Sequence, residues 1–480
     1  MSDLGPWSIN AMAAAMRAAR RGPLPEVVSG LSIDSRTIAG GEAFFAIRGD
    51  ARDGHDFVAA ALAAGAGAAV VAEDRCDLMP DRAPLLVVPD VLAGLADLAR
   101  ASRQRATARI IAVTGSVGKT GTKEALRLVL ASCGATHASV ASYNNHWGVP
   151  LSVARMPANT QFAVFEIGMN HAGEITPLTR LVRPHVAIVT AIEPVHLEYF
   201  GSLEAIADAK AEIFLGLEPG GVAVLNRDNG QYERLRRAAE NMGARIVSFG
   251  EHPDTDAQLL KMSLQAESSA VHARILGVEV TYKVGAPGRH VVLNSLAVLA
   301  AASLVGADLA VAALGLAGLE PPTGRGQRIP LILAGGGSAL LIDESYNANP
   351  ASMRAALALL GQASIGPHGR RIAVLGDMLE LGATAAELHR GLTEPVLAHD
   401  VDLVFCAGPM MKALWDALPS ERRGGYAETA AALEPQVVVG IADGDAVMVK
   451  GSLGSRMGPI VKALTRRYGR RAPEQAPAQG

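Results

Sequence analysis

Ile110-Ile111-Ala112-Val113-Thr114-Gly115-Ser116-Val117-Gly118-Lys119-Thr120 is the stretch that decides the fold. Ile110 to Val113 reads as a buried strand, and Gly118-Lys119-Thr120 opens a helix running to Ala131. A strand, a glycine-bearing turn and a helix in that order make a phosphate-binding loop. Backbone N–H groups at such a helix start face phosphate oxygens, assisted by the helix dipole. Gly115, Ser116, Val117, Gly118, Lys119 and Thr120 are therefore expected nucleotide contacts. Lys119 would neutralise the β- and γ-phosphates, and the Thr120 hydroxyl would hold Mg²⁺. The full GxxxxGK[ST] pattern wants glycine at position 113, where Val113 stands, so the loop is a variant with Gly115 as its flexible point. A glycine-rich turn without phosphate is the alternative, and the GKT ending between strand and helix argues against it.

Working outward, a magnesium–phosphate site needs further donors from neighbouring strand ends. Ala163-Val164-Phe165-Glu166 is an apolar run ending in a carboxylate. Val186 to Thr190 leads into a loop carrying Glu193, His196 and Glu198. Each residue alone reads as solvated, the commoner case for an isolated histidine. Two such strand ends after a phosphate loop favour function. Guanine specificity would want NKxD after a strand, and Asn226-Arg227-Asp228 lacks the lysine, so adenine is expected.

The rest of the chain sets the frame. With 480 residues, two or three domains are expected. Near-balanced charge, 44 basic against 47 acidic residues, argues against a nucleic-acid binder. Cys76, Cys133 and Cys406 show no CxxC pairing, so a reducing cytoplasm fits better than a disulfide framework or a structural zinc site. Met1 to Arg21 places its arginines after its apolar residues, which predicts an amphipathic helix rather than a secretory signal. Leu296 to Leu319 is long enough to span a bilayer, but its glycines and Asp308 predict two packed helices turning at Gly306-Ala307-Asp308.

Short β-branched runs alternate with Ala/Leu-rich helices, the signature of parallel α/β units. Strands are predicted at 68–71, 85–88, 110–113, 163–167, 186–190 and 222–225, and at 339–342, 372–375, 403–406 and 446–449. Helices are predicted at 56–64, 92–105 and 119–131. The tail 471–480 reads as fraying. Two breaks, the charged Arg103-Gln104-Arg105 and the Pro/Gly-rich Pro321 to Arg328, divide the chain into domains 1–106, 107–327 and 328–480.

At this point the chain resembles the Mur ligase family over nearly its whole length. Thr114 to Thr120 stands where the family has TGSxGKT. Tyr143-Asn144-Asn145-His146-Trp147-Gly148-Val149-Pro150, Glu166-Ile167-Gly168-Met169, His196 to Ser202 and Lys210-Ala211-Glu212-Ile213-Phe214 follow in the family's order. Gly288-Arg289-His290 with Asn294, Gly324 to Arg328, Leu375 to Gly382 and Lys450-Gly451-Ser452 agree. Asp343-Glu344-Ser345-Tyr346-Asn347-Ala348-Asn349-Pro350 is the most discriminating segment. It is similar to the branch that joins D-alanyl-D-alanine to UDP-MurNAc-tripeptide. Asp34-Ser35-Arg36 and Asp53 to Phe57 look like the family's UDP-sugar domain. Glu344 stands for a commoner aspartate, Val291 for an asparagine, and Glu193-Pro194-Val195 is an unusual lead-in to the histidine.

The resemblance implies an α/β protein in three domains: a UDP-sugar-binding domain, a central P-loop parallel-sheet ATPase domain, and a C-terminal Rossmann-like domain with dipeptide and nucleotide contacts. It implies amide formation driven by ATP through an acyl phosphate, in which the protein mainly positions and neutralises charge. Thr120 and Glu166 would hold one Mg²⁺, and His196 a second supported by a carbamylated Lys210. Lys119, Glu166, His196, Lys210 and Arg325 are the implied catalytic residues. Asn294, Arg325, Asp343, Tyr346 and Asn347 are implied nucleotide contacts, while Ser35, Arg36, Asn144, Asn145 and Asn349 are implied substrate contacts. A soluble, cytoplasmic monomer with no nucleic-acid partner and no membrane span is expected. A P-loop small-molecule kinase is a second reading, but it leaves two flanking domains without a role. A nucleotide-binding scaffold without turnover is a third, and intact Lys119, Glu166, His196 and Lys210 argue against it.

Overall fold

The structure, a computed structural model, describes residues 7–49, 52–140, 142–194, 197–333 and 336–469. His196 and the tail 471–480 lie outside these residues. Three main sheets follow one another along the chain.

The first sheet runs in the order Ala19–Arg21, Leu85–Val88, Ala68–Ala72, Ala43–Phe45 and Leu31–Ser32. All its neighbours are parallel except the edge pair Ala19–Arg21 with Leu85–Val88. The amphipathic helix predicted up to Arg21 is shorter. It spans Ile9–Met16, is capped by the Ser8 side chain, and buries Ile9, Met12, Ala13 and Met16 along one stripe. Arg17 then turns left-handed (φ +53°) and ends it, and the next residues pair as the sheet edge.

The central sheet has nine strands, ordered Val278–Val284, Ser269–Ile275, Ala257–Leu264, Arg245–Gly250, Val222–Asn226, Val186–Val189, Arg109–Thr114, Phe162–Glu166 and Thr136–Ala138. It is parallel from Thr136–Ala138 to Ala257–Leu264, and antiparallel through the last two strands. Four-residue cores such as Ile110 to Val113 are fully buried, as expected for strands covered on both faces. The apolar stretch after 295 is indeed two helices, Arg289–Leu304 and Leu309–Gly315. Gly306 turns between them at φ +90°, and Asp308 caps the second. Among the described residues no helix is long and apolar enough to cross a membrane.

The third sheet is ordered Gln327–Ile332, Ser338–Glu344, Ala446–Lys450, Arg371–Gly376, Leu403–Ala407 and Arg423–Ala427, parallel except for its first pair. Its two faces carry separate apolar clusters, drawn wholly from residues after 328.

The junction at residue 106 is of another kind. One apolar cluster runs from Trp7 through Leu95 and Leu98 to Val149, Leu151 and Phe214, joining the first sheet's layer to the central sheet. Arg103-Gln104-Arg105, read as a charged break, forms the last turn of the helix Val91–Arg105, which matches the helix predicted at 92–105. Arg103 is buried, donating to the carbonyls of Val182 (2.8 Å) and Arg183 (2.9 Å) and to Glu218 (3.0 Å). Arg105 lies 3.7 Å from the Trp7 ring centroid. Guanidiniums that bind carbonyls and stack on an indole serve as joints.

Candidate active site

The strand Arg109–Thr114 pairs with Phe162–Glu166 on one side and Val186–Val189 on the other. The chain leaves it in both directions, so a crevice opens past its carboxyl end, where open α/β sheets bind ligands. The phosphate loop fills this crevice rim. Gly115 (φ +145°) and Gly118 (φ +83°) are in backbone conformations that favour glycine. A Cβ on Gly115 would sit 2.0 Å from Thr190 Oγ1, and one on Gly118 would sit 2.6 Å from Asn294 Nδ2. Thr190 donates its hydroxyl to the Val117 carbonyl (2.6 Å), and Ser116 Oγ bonds both the N–H and the carbonyl of Glu193 (3.0 Å each). The loop is thus held from the neighbouring strand end.

Lys119 opens the helix Lys119–Ala131, and its Nζ donates to the carbonyl of Gly115 at 2.7 Å. Burial lowers its pKa, Glu166 opposes that shift, and Arg325 adds to it. Glu166, at the end of its strand, is 1% exposed and held at both oxygens. Thr120 Oγ1 donates to Oε2 (2.9 Å) and Asn144 Nδ2 donates to Oε1 (2.7 Å). Asn144, a predicted substrate contact, therefore orients this carboxylate.

Lys210, at the end of the helix Leu203–Ala211, was readable from sequence as a solvated helix residue. It is 2% exposed, with no salt bridge among the described residues. Burial drives its pKa well below the ordinary lysine value, and repulsion from Lys119 lowers it further. The site therefore favours the neutral amine.

A cavity of about 900 Å³ lies between the central and C-terminal sheets, lined by Lys119, Glu166, Asn294, Arg325, Tyr346 and Asn347 among others. Arg325 sits between Gly324 (φ +73°) and Gly326 (φ +96°), with its guanidinium 4.3 Å from the Tyr346 ring centroid. Four polar residues predicted for ligand contact are engaged by their own backbone. Asp343 Oδ1 accepts from the Ser345 N–H (3.0 Å) and hydroxyl (2.7 Å). Asn349 caps the helix Pro350–Gly361 in a reciprocal box with Ser352. Asn347 lines the cavity, but its side-chain oxygen accepts from the Ala348 N–H at 2.8 Å. Asn145 likewise caps its own turn, accepting from Trp147 (3.2 Å) and Gly148 (2.9 Å). Ser35 and the exposed, Asp34-paired Arg36 follow the strand Leu31–Ser32 in the first sheet and do not line this cavity.

Sequence reading assigned no role to the ion pair at the far wall, whose lysine is buried and whose glutamate is partly so. Lys450 Nζ donates to Glu344 Oε2 and to the Asn347 carbonyl, both at 3.0 Å, from 2% exposure. Glu344 and Lys450 are register partners on adjacent parallel strands, a signal that appears only once those strands are paired. His290 lines the same cavity.

Comparisons with known proteins come to the same region. Residues 27–103 match the Mur ligase family catalytic domain, residues 113–302 the Mur ligase middle domain, and residues 324–453 the Mur ligase glutamate ligase domain. The UDP-N-acetylmuramoyl-tripeptide–D-alanyl-D-alanine ligase of Bacillus subtilis is 35% identical over 442 residues, covering 91% of this chain and 93% of that one. The crystal structure of MurF from Acinetobacter baumannii superposes with a TM-score of 0.82 at 30% identity, over 97% of this chain and 100% of that one. MurF from Thermotoga maritima, in complex with ADP, does so with a TM-score of 0.74 at 26% identity, over 91% and 97%.

Proposed function

The chain belongs to the Mur ligase family, and from that premise we propose how its cavity joins D-alanyl-D-alanine to UDP-N-acetylmuramoyl-tripeptide. The reaction is an ATP-driven carboxylate–amine ligation in peptidoglycan synthesis. The observation that carries the mechanism is the convergence of Lys119, the doubly held Glu166 and the hinge Arg325 on one cavity.

The loop N–H groups and Lys119 bind the β- and γ-phosphates, for which Nζ exchanges its present bond to the Gly115 carbonyl. The tripeptide carboxylate attacks the γ-phosphorus, ADP leaves, and an acyl phosphate forms. The D-alanyl-D-alanine amine then adds to the acyl carbon, and phosphate departs as the amide closes. Arg325 supplies positive charge to the transferring phosphoryl group when the two bodies approach. Asn144 keeps the Glu166 carboxylate aimed into the site throughout.

A hydroxyl at a helix start and a carboxylate at a strand end are oxygen donors of the kind a hard divalent cation takes. Thr120 and Glu166 would hold one Mg²⁺, with His196 and Lys210 serving a second. The bound ions neutralise phosphate charge. A neutral Lys210 amine is the form that adds to carbon dioxide, losing a proton to give an anionic carbamate, whereas an ammonium would repel the cation. Residues 1–106 take the UDP-sugar and residues 328–480 the dipeptide. One chain supplies both walls of the cavity, which supports a monomer, and three free cysteines support a cytoplasmic setting.

Phosphate release measured with UDP-MurNAc-tripeptide, D-alanyl-D-alanine and ATP, each omitted in turn, tests the reading. Release is expected only when all three are present. A stable phosphorylated product formed without the dipeptide would instead identify a kinase.

A further inference from the structure

A second cleft lies at the fused junction, lined by none of the residues that line the nucleotide cavity. It has a volume of about 380 Å³ and lies between the end of the helix Val91–Arg105 and the end of the helix Ile175–Val182. Arg100, Arg103, Arg180 and Arg183 line it, with Pro177 and Leu181 as apolar wall. Four guanidiniums face two carboxylates. Arg100 pairs with Asp97, while a single oxygen of Glu218 is shared between Arg103 (3.0 Å) and Arg183 (2.7 Å). Arg180 has no ion pair or hydrogen bond among the described residues. The surroundings add cations, since Arg103, Arg109 and Arg183 all disfavour a charge on the adjacent His185. So dense a positive cluster in a chain of net charge −3 is self-repelling unless an anion enters.

We propose that this cleft is a binding site for a phosphate-bearing anion, separate from the nucleotide cavity. Guanidinium forks match paired phosphate oxygens in geometry as well as charge. The buried Arg103, fixed on two carbonyls, gives the site a rigid back. Arg100 comes from the first body and Arg180 and Arg183 from the central one, so a bound anion ties the two together. The volume falls at the small end of the range for ligand sites and exceeds one phosphate, which suits a diphosphate or a phosphate with an apolar attachment against Leu181.

The chemistry is shared by free phosphates and by anionic lipid headgroups, and the experiment separates them. The full-length protein, saturated with ADP to fill the nucleotide cavity, is titrated with pyrophosphate. In parallel it is co-sedimented with phosphatidylglycerol vesicles and with phosphatidylcholine vesicles. Arg100→Gln and Arg180→Gln are expected to weaken whichever association is found by about tenfold or more each, the scale of one lost charge-assisted hydrogen bond. Ligase turnover should be unchanged, which also reports intact folding. Pyrophosphate binding lost in the variants identifies a free ligand, and selective phosphatidylglycerol binding lost in the variants identifies a headgroup. Absence of both associations, or binding indifferent to both substitutions, overturns the proposal.

Discussion

The two junctions in this chain are built differently, one packed and one hollow. Between the first and central bodies one apolar cluster is continuous, and Arg103 and Arg105 are bolted onto carbonyls and an indole. Between the central and C-terminal bodies lies a cavity of about 900 Å³ whose wall mixes charged and amide side chains with apolar ones such as Val298, Leu319 and Leu359. Among the described residues, bonds between these two bodies include the Glu198 N–H to the Glu380 carbonyl at 3.5 Å and Arg328 to the Ala266 carbonyl. An apolar joint resists sliding because any shift exposes buried area. A joint interrupted by a cavity of this size leaves room to open and close, which a ligase needs if substrates are to enter and water is then to be kept out. The first junction holds; the second works.

Substitutions at each junction should therefore fail in different measurements. The largest effect belongs to the working junction's floor. Lys210→Ala should lower turnover by about 10³-fold, the upper range for removing one preorganised electrostatic group. Thermal stability should persist, and small carboxylates should restore part of the activity. Full activity in the variant would remove the lysine from the mechanism. At the fused junction, Leu98→Ala should cost about 3 kcal/mol of stability by leaving a cavity in the shared cluster. A denaturant titration that instead showed the first body alone unfolding would mean that the cluster is not cooperative.

Arg325→Lys should slow kcat by roughly 30-fold, about 2 kcal/mol for one charge-assisted hydrogen bond. KM for ATP and the melting temperature should be nearly constant, because Lys keeps the charge and loses the fork. An unchanged kcat would place Arg325 outside the transition state.

The smallest effect tests the autonomy of the C-terminal body. Buried His389 accepts the Met378 N–H on Nε2 (3.0 Å) and bonds the Ala385 carbonyl through Nδ1 (2.6 Å), an arrangement that requires the neutral ring. Burial lowers its pKa below the ordinary 6.5. The unfolded chain therefore takes up the proton first, and stability falls as pH drops below about 6.5 toward the folded value. Loss of that acceptor should cost about 1 kcal/mol in the third body. In His389→Gln, hydrogen exchange of residues 371–376 should lose this acid sensitivity, and a retained slope would point to another group.

Sequence legibility divides along similar lines. Strands such as Ile110 to Val113 and Ile372 to Leu375 were readable because burial on both faces demands unbroken β-branched runs. Ala257–Leu264, Ser269–Ile275 and Val278–Val284 were not, since one face is wet and their apolar residues alternate. Glu166 and Lys119 were visible as strand-end and helix-start residues. The buried state of Lys210 was not, because a lysine between Asp208 and Glu212 looks solvated until a tertiary layer covers it. Asn349 showed its amide but not its employment, as capping depends on where a helix begins.

The chain passes from the central to the C-terminal body once, through Pro321 to Gly326. A scission there would leave every apolar cluster whole, since those of the third body begin only after residue 328. A scission at residue 106 would tear one in half. The third body is thus a detachable module, one that two separate polypeptides, or two separate genes, could supply and reunite around the nucleotide.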